Sequence, residues 1–177
     1  MRQTCKTYSA LTEFPSVVWG EYSATFTLST RLHPTHVVVF PFAGDLIVLA
    51  NIKNRGWCIP SGHIESGEIP LEAAGRESME EAGIELDRIQ EIGAFILTSK
   101  TGYQAAAIAY IANVTNILDR PTGSDSAGRE LFRIEDICET YYQWDELLEM
   151  TFTFAWQQAQ SKLRMAYPIP NFMTKLD

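Results

Sequence analysis

Gly62-His63-Ile64-Glu65-Ser66-Gly67-Glu68, followed by Arg76-Glu77-Ser78-Met79-Glu80-Glu81-Ala82-Gly83-Ile84, is the stretch whose reading decides the fold. Pro70 suits the first turn of a helix and Gly83 suits its stop, so a helix is predicted from Pro70 to about Ala82. At about 100° per residue, Glu77, Glu80 and Glu81 fall within an arc of roughly 100° on one face. Leu71, Ala74, Gly75, Ser78 and Ala82 take the other side, a small-residue stripe suited to close packing on a sheet. Clustered carboxylates repel: two unit charges about 5 Å apart cost about 3 kcal/mol at an effective dielectric of 20. A solvated acidic face tolerates that. Here a glycine-bearing loop with Glu65 and Glu68 precedes the helix, and Arg76 stands beside Glu77 as a fixed cation. An oxygen-only cluster of this kind suits Mg²⁺ or Mn²⁺.

The same residues carry a resemblance. The Nudix signature reads G-x5-E-x7-R-E-U-x-E-E-x-G-U, with U a bulky aliphatic residue. Gly62, Glu68, Arg76, Glu77, Glu80, Glu81, Gly83 and Ile84 stand at its positions. Seven specified positions would match by chance on the order of once in 10⁸ starts. Two positions depart: Ser78 stands where the signature has a bulky aliphatic residue, and Ser61 replaces the first glycine of the usual pair. Ser78 is expected on the buried stripe, its hydroxyl bonding back to the carbonyl of Ala74.

The chain thus resembles the Nudix hydrolases, and the resemblance implies an α/β fold, the Nudix-type α/β/α sandwich with a mixed β-sheet. It implies hydrolysis of a diphosphate bond in a nucleoside-diphosphate-linked small molecule, with Mg²⁺ (or Mn²⁺) as cofactor. Nucleoside triphosphates, oxidised ones included, are the favoured substrates by family frequency. By the same resemblance Glu77, Glu80 and Glu81 match metal-ligand positions, Gly62 offers its backbone carbonyl, and Glu68 and Asp125 are weaker metal candidates. Arg76 counts among the catalytic group, chiefly by pairing with Glu68 and orienting Glu77. The general base is either Glu77 or a carboxylate outside the motif; of two acidic residues in the late loop, Asp125 is preferred over Glu130. Another reading stays open: a Nudix-like domain that binds or senses a nucleotide without turnover. The diphosphate isomerases that share the fold fit less well, because no second catalytic cysteine context is visible.

Working outward, Tyr22 to Leu28 alternates apolar and polar residues, which reads as a half-buried strand. It lies in residues 1–34, an N-terminal extension of what is expected to be a single Nudix domain over 1–177. His36 to Phe42 and Leu46 to Ile52 read as a hairpin closed by Ala43-Gly44-Asp45, and a long loop through Trp57, Pro60 and Gly67 follows. Ile89 to Thr98 and Tyr103 to Val114 form a second expected pair, although Ala105-Ala106-Ala107 weakens the latter. Residues 119–130 read as a loop, Leu131 to Ile134 as a short strand and Trp144 to Lys162 as one or two helices. Phe132 to Ile137 resembles the late strand-to-helix junction of the family.

The 177 residues, 46% hydrophobic and 20% charged, are ample for one buried core. A net charge of −8 argues against sequence-independent binding to long nucleic acid. It leaves room for a small anion, because a bound divalent ion inverts the local field. Cys5, Cys58 and Cys138 are odd in number, lack CxxC spacing and read as reduced thiols. No signal peptide and no membrane span are expected, so a cytoplasmic location follows by default, and a homodimer is possible. The substrate is the least legible feature. Ser99 stands about where ADP-ribose hydrolases carry a proline, and Tyr103 lies near a tyrosine position of dinucleoside polyphosphate hydrolases. Trp19, Tyr22, Trp57 and Phe95 are candidates to stack a base, each with an equal claim to the core.

Overall fold

The computed structural model describes residues 13–163; Cys5 and the first twelve residues of the N-terminal extension lie outside them. Strands β1 (Val17–Trp19) and β2 (Tyr22–Thr27) form a short hairpin. Then come β3 (His36–Ala43), β4 (Leu46–Ile52), β5 (Gly56–Cys58) and β6 (Ser61–His63). Helix α1 (Pro70–Glu77) passes into a π-helical turn (Ser78–Ala82), followed by the long strands β7 (Ile84–Ser99) and β8 (Gln104–Ile117). Strand β9 (Ser126–Arg133), a 3₁₀ turn (Ile134–Glu139) and helix α2 (Glu146–Lys162) complete the described residues.

One mixed sheet unites the nine described strands, in the order β1-β2-β7-β8-β3-β4-β5, with β6 on β3 and β9 on β4. All named pairs are antiparallel except β3 with β8. The period of two sorts side chains onto the two faces. Val37, Val39, Ala94, Ile96, Ala106 and Ile108 pack with Ala73 and Ala74 of α1. Phe40, Phe42, Phe95, Ala109 and Ile111 pack with Leu147, Phe152 and Ala155 of α2. The helices therefore cover opposite faces, which is the expected α/β/α sandwich. Alanine is a poor strand former in isolation, yet Ala105 to Ala107 lie in β8. Ala106 is buried in the layer where α1 presents its own alanines, so small residues meet small residues.

Several expectations need correction. The predicted helix is α-helical only as far as Glu77, and its last five residues widen into the π turn. There the amide of Gly83 bonds to the carbonyls of both Met79 and Ser78, and Gly83 closes the element with φ of 60°. Leu71 is 45% exposed rather than buried, and Ile69 just before the helix is 55% exposed, so the first turn is not covered by the core. Ser78 is fully buried, but its hydroxyl does not bond back to Ala74; it has no hydrogen-bond partner. The expected loop over 119–130 ends early, since β9 starts at Ser126 and pairs along β4. Strand β7 begins at Ile84, five residues before the predicted start, and is broken by register shifts against β8. Trp144 lies before α2, which is a single helix capped by Asp145. Among the described residues no helix is long and apolar enough to cross a membrane.

Candidate active site

Strand β6, α1 and the π turn bring the quoted stretch together over one end of the sheet. Arg76 is the hub. Its Nε and Nη2 donate to the two carboxylate oxygens of Glu68 at 2.9 and 3.0 Å, a bidentate pair. Its Nη1 donates to Glu77 Oε1 at 2.8 Å and Glu80 Oε2 at 3.2 Å, and Nη2 also reaches the carbonyl of His63 at 2.8 Å. Only a planar, multidonor cation can hold this many acceptors, so lysine would not substitute. Glu68 also accepts from the amide of Glu65. Arg76 holds the Glu68 carboxyl below its ordinary range.

Glu77 and Glu81 are each 9% exposed, whereas the Glu80 side chain is 48% exposed. The three glutamates do not share one environment, as a single regular face would have provided. Glu81 Oε2 accepts from the amide of Ser61 at 2.9 Å, and the nearest cation to Oε1 is Arg55 at 3.9 Å. Burial pushes the Glu81 carboxyl up to about 7, against the pull of the Ser61 amide. Burial also raises Glu77, with Arg76 opposing it. Two desolvated carboxylates with incomplete compensation stand one helical turn apart.

Gly62 explains itself here. A Cβ at that position would lie 1.9 Å from Glu77 Oε1, so the carboxylate rests directly on the glycine. Strand β6 pairs Gly62 with Val37 and holds the backbone at that point. Asp125 lies on the exposed loop before β9, its negative charge contributing to the rise at Glu81. Glu130 pairs with Leu49, a residue of the α2-side core, and therefore lies on the face away from α1. Arg129, one position earlier, is on the α1 side and donates to the carbonyls of Ala82 and Leu118, closing the π turn.

An oxygen-only donor set of glutamates and a backbone carbonyl fits a hard divalent cation in kind. Among the described residues no three acidic, histidine or cysteine side chains are gathered closely enough to cage an ion on their own.

Beside these carboxylates opens a cavity of about 540 Å3, reaching from Ser61, Gly62 and His63 to Trp19, Phe95 and Leu97. The sequence alone did not single out Arg55, Asp145 or the His36–His63 pair. Arg55 follows Asn54, whose φ of 65° turns the chain after β4 toward the cavity. The two histidine rings lie 3.9 Å apart at its lip, and burial lowers His36. Of the base-stacking candidates, Trp19 and Phe95 line the cavity. Trp57 instead packs on Phe132, and Tyr22 is 42% exposed on the hairpin. Cys58 is buried in the cavity wall, its thiol raised by burial.

A family model for the NUDIX domain matches residues 32–155. Among solved structures, a pyrophosphohydrolase from Bacillus subtilis aligns with a TM-score of 0.68 at 18% identity, over 85% of this chain and 98% of that one. A NUDIX hydrolase from Nitrosomonas europaea aligns at 0.56 and 22% identity, over 77% and 94% of the two chains. An ADP-ribose pyrophosphatase from Streptococcus suis aligns at 0.55 and 14%, over 73% and 95%. At these identities the likenesses concern the fold. With the match over residues 32–155, the chain belongs to the Nudix hydrolase family.

Proposed function

We propose that this chain is a divalent-metal-dependent hydrolase of a diphosphate bond in a nucleoside-diphosphate-linked small molecule. Nucleoside triphosphates, oxidised ones included, are the first substrates to test. One observation carries the reading: Glu77 and Glu81 are buried, raised in pKa and incompletely neutralised, and they rest against Gly62 and Ser61, which line a cavity large enough for a nucleotide. A purely structural helix gains nothing from burying two carboxylates side by side.

Glu77, Glu80, Glu81 and the carbonyl of Gly62 would hold Mg²⁺ or Mn²⁺, with Glu68 and Asp125 as weaker candidates. Bound there, the ion neutralises the diphosphate and lowers the pKa of the attacking water. Arg76 fixes the Glu77 carboxylate against Gly62 and ties Glu68 to it. Ser61 orients Glu81 through its amide. Arg55 supplies positive charge between the carboxylates and the cavity, where a diphosphate oxygen would lie. The relatives named above, a pyrophosphohydrolase and an ADP-ribose pyrophosphatase, support diphosphate chemistry as the class.

The test is a hydrolysis screen with Mg²⁺ and Mn²⁺ over nucleoside triphosphates, ADP-sugars, dinucleoside polyphosphates and coenzyme A. Turnover that a chelator abolishes is the expected result. Nucleotide binding without turnover under every metal condition would overturn the hydrolase reading in favour of a sensing domain.

A further inference from the structure

We propose that Trp19, on the hairpin preceding the residues matched to the family, is the specificity-determining wall of the cavity. It receives the planar base of a nucleotide whose diphosphate lies toward Arg55 and Glu81. The inference rests on the function proposed above and adds which group enters which end.

The strand order sets the polarity of the cavity. Trp19 comes from β1, Phe95 and Leu97 from β7, and the lining then passes over β8 and β3 to Ser61–His63 of β6. The β1–β7 end is aromatic and apolar. The β6 end carries Arg55, the histidine pair and the backbone of Gly62, next to the buried glutamates. From β7 to β6 is three strand spacings, roughly 14 Å. No acidic side chain lines the cavity among the described residues, so an anionic ligand meets no opposing carboxylate until it reaches the metal-binding glutamates.

Trp19 is prearranged for this role. Its indole Nε1 donates to Asp145 Oδ2 at 2.5 Å, while Asp145 Oδ1 accepts the Leu148 amide at 2.9 Å and caps α2. The Trp19 and Phe95 rings lie 5.6 Å apart and tilted by 38°. With its polar atom already satisfied, the indole lines the cavity as an aromatic surface. Such a surface holds any base by stacking and nothing comparable in a ligand without a planar ring. β2 pairs with β7 along its whole length, so the hairpin that carries Trp19 is fixed to the sheet.

The experiment compares Trp19→Ala and Trp19→Phe with wild type in the full chain. The substrates are a nucleoside triphosphate and inorganic tripolyphosphate, which has no base. Trp19→Ala is expected to raise KM for the nucleotide by about tenfold or more, with kcat within about threefold and tripolyphosphate kinetics little changed. Trp19→Phe keeps a ring face and should stay within about threefold for the nucleotide. Independently of turnover, ADP should quench tryptophan fluorescence of the metal-free wild type, and pyrophosphate should not. Trp19→Phe should lose most of that quenching, a readout that holds even if Trp19→Ala fails to fold. Equal KM changes on both substrates, or undiminished quenching in Trp19→Phe, would overturn the assignment. If ADP quenches through Trp19 but no diphosphate is hydrolysed, only the hydrolase reading falls.

Discussion

Ser78 shows how far a signature can be read at the level of single residues. Its departure from the motif was visible in the sequence, and its burial followed from helical spacing. Its failure to find a partner did not, because whether a hydroxyl reaches the preceding turn depends on the local widening into a π turn. A buried hydroxyl without a partner costs on the order of 1–3 kcal/mol. Ser78→Ala is therefore expected to stabilise the protein by about 1 kcal/mol, measured by denaturant titration. Ser78→Val should leave turnover within a few-fold; a loss as large as that from removing a metal ligand would give Ser78 a chemical role. The late acidic residues provide a sharper contrast. Asp125→Asn is expected to lower turnover more than Glu130→Gln, since Asp125 acts electrostatically on Glu81 while Glu130 lies on the opposite sheet face. Equal rates for the two variants at saturating metal would remove both from the mechanism. The spacing of Glu77, Glu80 and Glu81 was legible because helix geometry is local. The latch between Trp19 and Asp145 was not, because it joins residues 126 positions apart.

Elements were legible where one period ran unbroken. The β3–β4 hairpin appeared as expected, with Gly44 at φ of 64° in its turn. Strand β7 runs farther toward its start than its sequence pattern indicates, because Asp87 and Arg88 interrupt the alternation. The structure absorbs them in irregular pairing, with Arg88 at φ of 49°. The end of the π turn is the most constrained junction. Gly83 has a left-handed backbone, and a Cβ there would come within 2.5 Å of the Leu118 carbonyl and 2.6 Å of the Arg129 guanidinium. Gly83→Ala thus adds backbone strain to a collision with main chain, and should cost about 2–4 kcal/mol. It should also reduce turnover, because Glu80 and Glu81 ride on the turn that Gly83 closes. A thermal midpoint unchanged from wild type would show that the glycine is not required for that closure.

For the molecule as a whole, the buried glutamates make stability depend on pH and metal together. Burial pushes Glu81 up to about 7 in the folded chain from an ordinary 4.5, and it raises Glu77 in the same direction. Between these values the folded state binds more protons than the unfolded one, so stability falls as pH rises through that window. The Glu81 part is on the order of 1–3 kcal/mol and is fully present as a penalty above about 7. Glu81→Gln removes it. That variant should melt higher than wild type at pH 8 without metal, show a flatter pH profile between 4.5 and 7, and gain little from added Mg²⁺. Its turnover should drop by more than about a hundredfold. Wild-type turnover and Mg²⁺ affinity in Glu81→Gln would return the helix to a solvated acidic face. The parallel pairing of β3 with β8 has a consequence in time as well as in space. β7 and β8 are joined by a short turn and can zip together early, but β3 meets β8 only after the intervening chain, including Gly62 and all the helical glutamates, has been looped out. The helical glutamates are therefore seated against Gly62 late on the route from a newly made chain to the finished sheet, and until then the edge of β8 that β3 will cover is open to pairing with a neighbouring molecule.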